Sequence, residues 1–270
     1  MPNPSEARSL AVFCDFENIA LGVREAKYAQ FDMEKVLERL LAKGSIVVKK
    51  AYCDWERYKE FKADMHAASF ELIEIPHVRQ SGKNSADIRM VVDALDLCYT
   101  KSHVDTFVIV SGDSDFSPLV SKLRENAKTV IGVGVKNSSS DLLINNCDEF
   151  IYYDDLVRAD EQKRRAAKKR RESAPVSAGG DKSNGDKKQE AFDLMLSTLE
   201  ALMAERDADE RIWGSMVKQA LKRRNPGFNE SYYGFRAFSD LLEEAEKKGL
   251  IKLEADEKSG GYVVRPAQQG

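Results

Sequence analysis

The chain has 270 residues, 42% of them hydrophobic, which is enough for one large domain or two ordinary domains with packed cores. No apolar run approaches the roughly 20 residues of a membrane helix, and residues 1–9 lack the apolar stretch of a secretory signal. The four cysteines lie tens of residues apart and the three histidines show no ligand spacing, which argues against a zinc site and a disulfide framework. We therefore expect a soluble, cytoplasmic protein without membrane contacts.

Residues 1–157 are predicted to form an α/β domain, because short apolar runs alternate with amphipathic segments. Strands are expected at residues 10–15, 45–53, 70–76, 106–111, 129–135 and 149–153. Helices are expected at residues 31–43, 56–69, 85–100, 117–126 and 139–146. Strands separated by helices imply right-handed crossovers, so we predict a mostly parallel sheet flanked by helices.

Acidic residues follow several of these strands, at the edge of the sheet where ligands bind in such folds. Asp15 ends the first strand, Asp87 lies near the start of the helix after the third, and Asp113 and Asp115 follow the fourth. Each alone could cap a helix, but converging carboxylates repel one another unless a cation neutralises them. Oxygen ligands without His or Cys favour Mg²⁺ or Mn²⁺. Such an ion suits phosphate-ester hydrolysis, because it polarises a phosphoryl oxygen and activates water.

Motifs for other phosphate chemistry are incomplete. Gly82-Lys83-Asn84 lacks the Ser or Thr of a P-loop, and Asn137 stands where a dinucleotide fingerprint starting at Gly132 needs its third Gly. No Gly-x-Ser-x-Gly elbow is present. A small-molecule phosphatase on the same kind of sheet is a further alternative, although Asp15 is followed by Phe16 and Glu17 and forms no Asp-x-Asp nucleophile motif.

Four segments, in this order, resemble the NYN family, the LabA-like branch of PIN-fold ribonucleases. They are VFCDFENIA (Val12–Ala20), SGKNSADIRMVVDAL (Ser81–Leu95), FVIVSGDSDFSPLV (Phe107–Val120) and NNCDEFIYYDDL (Asn145–Leu156). The resemblance spans about residues 9–157, and the SGDSDFSPLV block is its most specific part. It implies a PIN-like sheet and a ribonuclease that depends on Mg²⁺ or Mn²⁺.

The same resemblance assigns roles to individual residues. It implies four catalytic acids, of which the first three would hold metal: Asp15, Asp87, Asp113 and Asp115. Asn18 and Lys83 would contact the substrate. Asp93 lies six residues after Asp87, about 120° from it around a helix, so it is either a supporting contact or part of a solvated face.

Residues 158–189 are predicted to be a basic, flexible linker. Within residues 158–189 the only β-branched aliphatic residue is Val176, so the stretch buries too little apolar surface to offset the entropy of ordering. Residues 159–172 could continue as an exposed helix, and residues 173–184 are expected to be flexible. The cationic run at 163–171 either attracts phosphate groups or is a solvated stretch.

Residues 190–270 are predicted to form a second, small α+β domain. Helices are expected at residues 190–206, 212–223 and 232–248, and a β-hairpin at residues 250–253 and 262–265. Three helices and a hairpin describe a winged helix, a module that binds nucleic acids or proteins.

The segment RIWGSMVKQALKRRNPGFNESYYGFRAFSDLLEEAEKKGLIKL resembles the LOTUS (OST-HTH) domain, most specifically in NPGFNESYYGFRAFSDLL. This resemblance implies RNA binding or docking to a protein partner. Candidate RNA contacts are cations that hold phosphates and rings that stack on bases: Lys218, Lys222, Arg223, Arg224, Arg236, Tyr232 and Tyr233. A place in the core is the favoured alternative for the aromatic residues, with Phe235 and Phe238 among them, and the basic residues either contact RNA or are solvated.

The sequence as a whole predicts a two-domain, metal-dependent ribonuclease that hydrolyses RNA phosphodiester bonds. The C-terminal domain and the linker would select or retain RNA, because tethering raises the local substrate concentration. The alternative is a non-catalytic RNA-binding or regulatory adaptor that keeps the PIN-like fold.

Overall fold

The structure, a computed structural model, describes residues 8–28, 31–75, 85–161, 182–205, 210–256 and 261–267. Lys83 and the cationic run at 163–171 lie outside these ranges. The chain divides into two compact units, one made of Met1–Leu37 and Ser45–Ser173 and the other of Glu38–Gly44 and Ala174–Gly270. Among the described residues, no helix combines the length and the apolar composition needed to cross a membrane.

A six-stranded sheet forms the centre of the first unit. Its strands are β1 (Arg8–Asp15), β2 (Gly44–Cys53), β3 (Glu71–Glu74), β4 (Thr106–Val110), β5 (Thr129–Gly134) and β6 (Glu149–Tyr152). The spatial order is β3-β2-β1-β4-β5-β6. The pairs β2–β3, β1–β4, β4–β5 and β5–β6 are parallel, which confirms the predicted parallel α/β sheet.

Helices connect the strands. They are α1 (Phe16–Glu25), α2 (Met33–Lys43), α3 (Lys62–Ala67), α4 (Ser85–Thr100), α5 (Ser117–Glu125), α6 (Asp141–Asn146) and α7 (residues 153–161). The sequence prediction missed α1, and it placed a single helix at 56–69 where the structure has a 3₁₀ turn, Lys59–Phe61, before the short α3. The remaining predicted helices agree with the structure within about two residues.

The inner face of α4 packs against the sheet beside its two central strands. Met90, Ala94 and Cys98 recur every fourth residue along α4 and are buried in one core cluster with Phe13 of β1 and Phe107 of β4. The rings of Phe13 and Phe107 stack with centroids 6.0 Å apart. This packing fixes the first turn of α4, which carries Asp87, near the carboxyl ends of β1 and β4.

The second unit contains three helices and a hairpin. They are α8 (Lys182–Met203), α9 (Gly214–Arg224), α10 (Phe238–Lys247) and the antiparallel strands β7 (Ile251–Asp256) and β8 (Gly261–Pro266). A separate core holds them together, with Phe192 and Leu199 from α8, Leu221 from α9 and Leu241 from α10.

Two boundaries in the second unit differ from the predictions. The helix α8 begins at Lys182, so residues 182–189, expected in the linker, are helical; they extend the helix of the second unit toward the N-terminus, although Ser183, Asn184 and Gly185 are weak helix formers. The expected helix at 232–248 begins only at Phe238. Residues 231–234 form turns, and the backbone N–H of Ala237 donates to Asp240 at 3.2 Å, which caps the helix there.

Candidate active site

The candidate site lies where the strand order of the sheet changes direction. β2 and β3 lie on one side of β1, and β4 to β6 lie on the other, so the connections leave β1 and β4 toward opposite halves of the sheet. Ligands of open parallel sheets bind in the crevice at this position. The register pairs Cys14 with Val110, which places the next residues, Asp15 and Ser111, side by side at the carboxyl edge.

Asp15 is the buried carboxylate at the centre of this edge, with 7% of its surface exposed. It is the N-cap of α1 and accepts a hydrogen bond from the backbone N–H of Asn18 at 3.4 Å. The hydroxyl of Ser111 donates to its other oxygen, Oδ2, at 3.0 Å. Two hydrogen bonds therefore fix the side chain, one from α1 and one from the end of β4.

Ser111 connects Asp15 to the acids that follow β4. Its Oγ also accepts the backbone N–H of Asp113 at 3.2 Å. Asp113 caps a 3₁₀ turn, Ser114–Phe116, by accepting the N–H of Asp115 at 3.0 Å. Ser111 was not among the predicted site residues. Its only signal in the sequence was its place at the end of a buried strand, next to the Gly112-Asp113 pair.

Asn18 ties α1 to the loop after β4. Its Oδ1 accepts the backbone N–H of Gly112 at 2.9 Å. Gly112 is confined by the next loop, because an added Cβ would lie 2.4 Å from the carbonyl oxygen of Ser138. Asn18 was predicted to contact substrate, and the structure shows that its side-chain oxygen contacts the protein backbone.

The four predicted acids interact electrostatically. The pKa of Asp15 is raised from 3.8 to about 7, mainly by burial, then by the charge of Asp87 and to a smaller extent by that of Asp113. The two hydrogen bonds from Asn18 and Ser111 lower the pKa but do not outweigh these effects. Burial, then the charges of Asp113 and Asp115, raise the pKa of Asp87 to about 6. The structure therefore brings Asp15, Asp87, Asp113 and Asp115 together at one edge of the sheet, as the sequence predicted.

A fifth acid, Glu17, contributes to the same field. Its charge also raises the pKa of Asp87, and its carboxylate forms an ion pair with Arg57 at 3.2 Å. The sequence placed Glu17 after the first strand but did not select it as a site residue. Its position in the first turn of α1, two residues after Asp15, is the signal that could have found it.

A family model for the NYN domain matches residues 9–154, the part of the chain that carries this site. The chain belongs to the NYN domain family. NYN domains are PIN-like nuclease domains, and the six-stranded parallel sheet flanked by helices fits that fold.

Two proteins resemble the NYN domain of this chain. The uncharacterised protein MJ0482 of Methanocaldococcus jannaschii is 29% identical over 125 residues, which are 46% of this chain and 49% of that protein. The match thus spans about half the length of this curated relative. The crystal structure of VPA0982 from Vibrio parahaemolyticus, a protein of unknown function, has a TM-score of 0.50 and 27% identity, and the alignment covers 57% of this chain and 98% of that one.

The donor set of the NYN domain fits a hard divalent cation in chemistry and charge. All four carboxylates offer oxygen, and within the described ranges none of them forms an ion pair with Lys or Arg. In the same ranges, no three acidic, His or Cys side chains are already arranged as ligands of one ion. The cluster therefore has the charge that a cation would neutralise, without a preformed ligand cage.

Asp93 lies apart from the acidic cluster of the NYN domain. Its carboxylate accepts hydrogen bonds from the buried Tyr52 hydroxyl at 2.8 Å and from Arg89 Nε at 3.1 Å, and Lys50 Nζ lies at 3.4 Å. Asp93 thus joins α4 to β2. With 12% of its side chain exposed, Asp93 is not part of a solvated face, and among the described contacts it binds β2 and Arg89 rather than the four acids, so its support of the site stays a prediction.

The cationic residues predicted in the second unit occupy different environments. Lys222 is exposed, and Lys218, with 42% of its side chain exposed, forms an ion pair with Glu230 at 2.9 Å. Arg223 donates from Nε to the carbonyl oxygen of Leu41 at 3.0 Å. Arg224 is largely buried and donates to hydroxyls of α8, those of Thr198 at 3.2 Å and Ser197 at 3.3 Å.

The aromatic candidates divide in the same way. Tyr232 is 60% exposed, and Lys187 Nζ lies 4.6 Å from the centre of its ring. Tyr233, Phe235 and Phe238 are buried in the core of the unit, which confirms the core alternative for these three rings.

Proposed function

We propose that the NYN domain is a metal-dependent ribonuclease that hydrolyses RNA phosphodiester bonds. The observation that carries the proposal is the meeting of Asp15, Asp87, Asp113 and Asp115 at the switch point of the sheet, where two of the four have pKa values raised to about 7 and about 6. Carboxylates that raise one another's pKa are stabilised by a divalent cation, and phosphodiester hydrolysis is the chemistry such ions support.

Asp15, Asp87 and Asp113 would hold Mg²⁺ or Mn²⁺, which when bound polarises a phosphoryl oxygen and activates water. Ser111 keeps Asp15 in place, since its hydroxyl donates to Oδ2. Asp115 is exposed beside these three and adds negative charge at the mouth of the site. Asn18 holds the loop after β4, and with it Asp113, through its bond to Gly112. These contacts orient the carboxylates before substrate binds.

For the second unit, we propose a winged helix of the LOTUS type that binds RNA or a protein partner. Three helices followed by an antiparallel hairpin support this proposal, together with the exposed Lys222 and the Lys187–Tyr232 pair. These side chains can hold phosphates and stack on an unpaired base. The largely buried Arg224 instead supports the packing of α9 on α8.

A non-catalytic RNA-binding adaptor is the second candidate. It is favoured by the absence, within the described ranges, of three side chains already arranged as ligands of one ion. Such an adaptor would keep the PIN-like fold and bind RNA without cleaving it.

Cleavage of a 5′-labelled single-stranded RNA separates the two candidates. The wild type, Asp113→Asn and the control Asp96→Asn would each be incubated with Mn²⁺, Mg²⁺ or EDTA. The side-chain oxygen of the asparagine introduced by Asp113→Asn can still accept the N–H of Asp115, so the fold is kept while the charge is lost. We expect metal-dependent cleavage by the wild type and by the control Asp96→Asn. In Asp113→Asn the cleavage rate should fall at least about a hundredfold, which is the order of loss seen when an important active-site group is removed. RNA binding without cleavage by any of the three proteins would support the adaptor and reject the nuclease.

A further inference from the structure

We propose that the outward face of α4 is a contact surface between two copies of this chain, which pair α4 against α4 in antiparallel orientation. Ile88, Val92 and Tyr99 expose 63%, 55% and 64% of their surfaces. No other described helix or strand has more than one large apolar side chain of comparable exposure. At about 100° per residue these three fall within a stripe about 40° wide, opposite the buried face of the helix.

A continuous apolar stripe of this kind is typical of an interaction surface. Elsewhere on protein surfaces, exposed apolar residues normally occur singly. A depression of about 590 Å³ runs along the stripe and is lined by Ser85, Ile88, Arg89, Val92, Asp93 and Asp96. The surface is therefore both apolar and concave enough to receive a side chain from outside.

The charges beside the stripe favour a second copy of this chain as the partner that covers it. Arg89 and Asp96 lie three residues before and four residues after Val92, and both are exposed. Arg89 uses its Nε to contact Asp93, and the Asp96 carboxylate has no side-chain partner among the described residues. In an antiparallel pair with Val92 on the two-fold axis, each Arg89 comes within reach of Asp96 of the other copy.

Side-chain sizes match in the same arrangement. Ser85 and Tyr99 lie seven residues on either side of Val92, so the small residue of one copy faces the large residue of the other. Nearly equal spacing of the opposite charges, three and four residues from Val92, and equal spacing of the small and large side chains make this face complementary to itself in a two-fold pair. An unrelated partner would need no such symmetry in the sequence of α4.

The contact is small. A pair of 16-residue helices buries on the order of 800–1,000 Å² in total, which is the low end for specific interfaces, so the dimer is weak and concentration-dependent. Asp87 lies about 120° around α4 from the stripe, on the side facing the sheet. Pairing therefore leaves the acidic cluster uncovered, and this proposal stands independently of the nuclease proposal.

Sedimentation velocity of the full chain, from about 5 to about 300 µM, tests the pairing in the concentration range expected for so small an interface. Val92→Arg places two like charges on the two-fold axis. Asp96→Arg places like charges opposite Arg89, and as an exposed substitution it does not threaten the fold. Leu142→Arg, at a residue of α6 that is 58% exposed, is the matched control.

We expect a monomer–dimer equilibrium for the wild type and for Leu142→Arg, and dimerisation at least about tenfold weaker for Val92→Arg and Asp96→Arg. The double variant Arg89→Asp/Asp96→Arg restores opposite charges and should recover dimerisation. A wild type that stays monomeric at the highest concentration would overturn the proposal. So would equal dimerisation of the wild type and both single variants, or a double variant no better than Asp96→Arg.

Discussion

Asp15→Asn should stabilise the protein while abolishing the proposed nuclease activity. Asn has nearly the same shape as Asp, and its oxygen can accept the N–H of Asn18. Its amide can donate to Ser111 Oγ, which replaces the bond that the Ser111 hydroxyl donates in the wild type by one of opposite direction. Asn is also as good an N-cap as Asp. The substitution therefore removes the charge of a buried carboxylate and little else.

The magnitude follows from the raised pKa. Asp15 titrates at about 7 in the folded protein and at 3.8 in the unfolded reference, so the folded state holds more protons between these values. The free energy of unfolding of the wild type therefore falls as pH rises from about 4 to about 7. At 1.36 kcal/mol per pKa unit, the raised pKa of Asp15 lowers the free energy of unfolding by about 4 kcal/mol at pH 8, where the folded protein carries the ionised side chain. At pH 5 the folded protein keeps the proton that the unfolded chain loses, and the cost is about 2 kcal/mol. Loss of the negative charge at the N-terminus of α1 offsets at most about 1 kcal/mol of the gain.

Urea denaturation in EDTA at pH 8 and pH 5 measures this effect. The fluorescence of the buried Trp55 reports on the NYN domain if the second tryptophan is removed by Trp213→Phe in every protein compared. We expect Asp15→Asn to be more stable than the wild type at both pH values, with the larger gain at pH 8, and the control Asp96→Asn to be unchanged. An Asp15→Asn variant that is equal or lower in stability at pH 8 would refute the reasoning.

Three further predictions concern the same edge of the sheet. Millimolar Mn²⁺ should raise the Tm of the wild type at pH 8 by a few degrees, because a bound ion removes the repulsion between the carboxylates. A Tm shift of equal size in Asp113→Asn would contradict binding at this site. Asn18→Ala leaves the N–H of Gly112 without its acceptor, so the free energy of unfolding measured in urea should fall by about 1–3 kcal/mol and RNA cleavage should slow. Unchanged stability of this variant would show that the hydrogen bond is dispensable. Gly112→Ala forces a Cβ to 2.4 Å from a backbone oxygen and should lower the free energy of unfolding by at least about 2 kcal/mol. The control Gly227→Ala, whose Cβ meets no atom within 4 Å, should be neutral. Similar losses of stability in both variants would contradict the steric argument.

The strands of the NYN domain could be predicted because each is a short apolar run bounded by polar residues. The helix α1 was missed, since it begins directly after β1 with no intervening loop and has only ten residues. Its signals are local but weak: Asp15 as N-cap, Glu17 in the first turn, and Phe16, Ile19 and Val23 on the buried side.

In the second unit, the aromatic pattern predicted a helix that begins six residues too early. Tyr233 and Phe235 are buried, as helical spacing predicted, but they reach the core from turns that contain Gly234. Periodicity alone does not distinguish a buried turn from the first turn of a helix. The cap at Ala237, provided by Asp240, is what sets the true start.

The acids of the candidate site could be predicted because parallel strands bring their carboxyl ends to one edge. Their supporting contacts could not. Ser111 donates to Asp15 across 96 positions of sequence, and Asn18 binds Gly112 across 94. Such contacts depend on the register of β1 against β4, which no local pattern specifies.

Mn²⁺ binding, followed by the loss of the free-ion signal in electron paramagnetic resonance, tests most directly whether these carboxylates form one site. The account predicts that Asp15→Asn and Asp113→Asn each weaken binding at least about tenfold relative to the wild type, while Asp96→Asn binds as the wild type does. Equal Mn²⁺ affinity in all four proteins would contradict it, because the ion would then bind elsewhere than at the carboxylates gathered at the switch point.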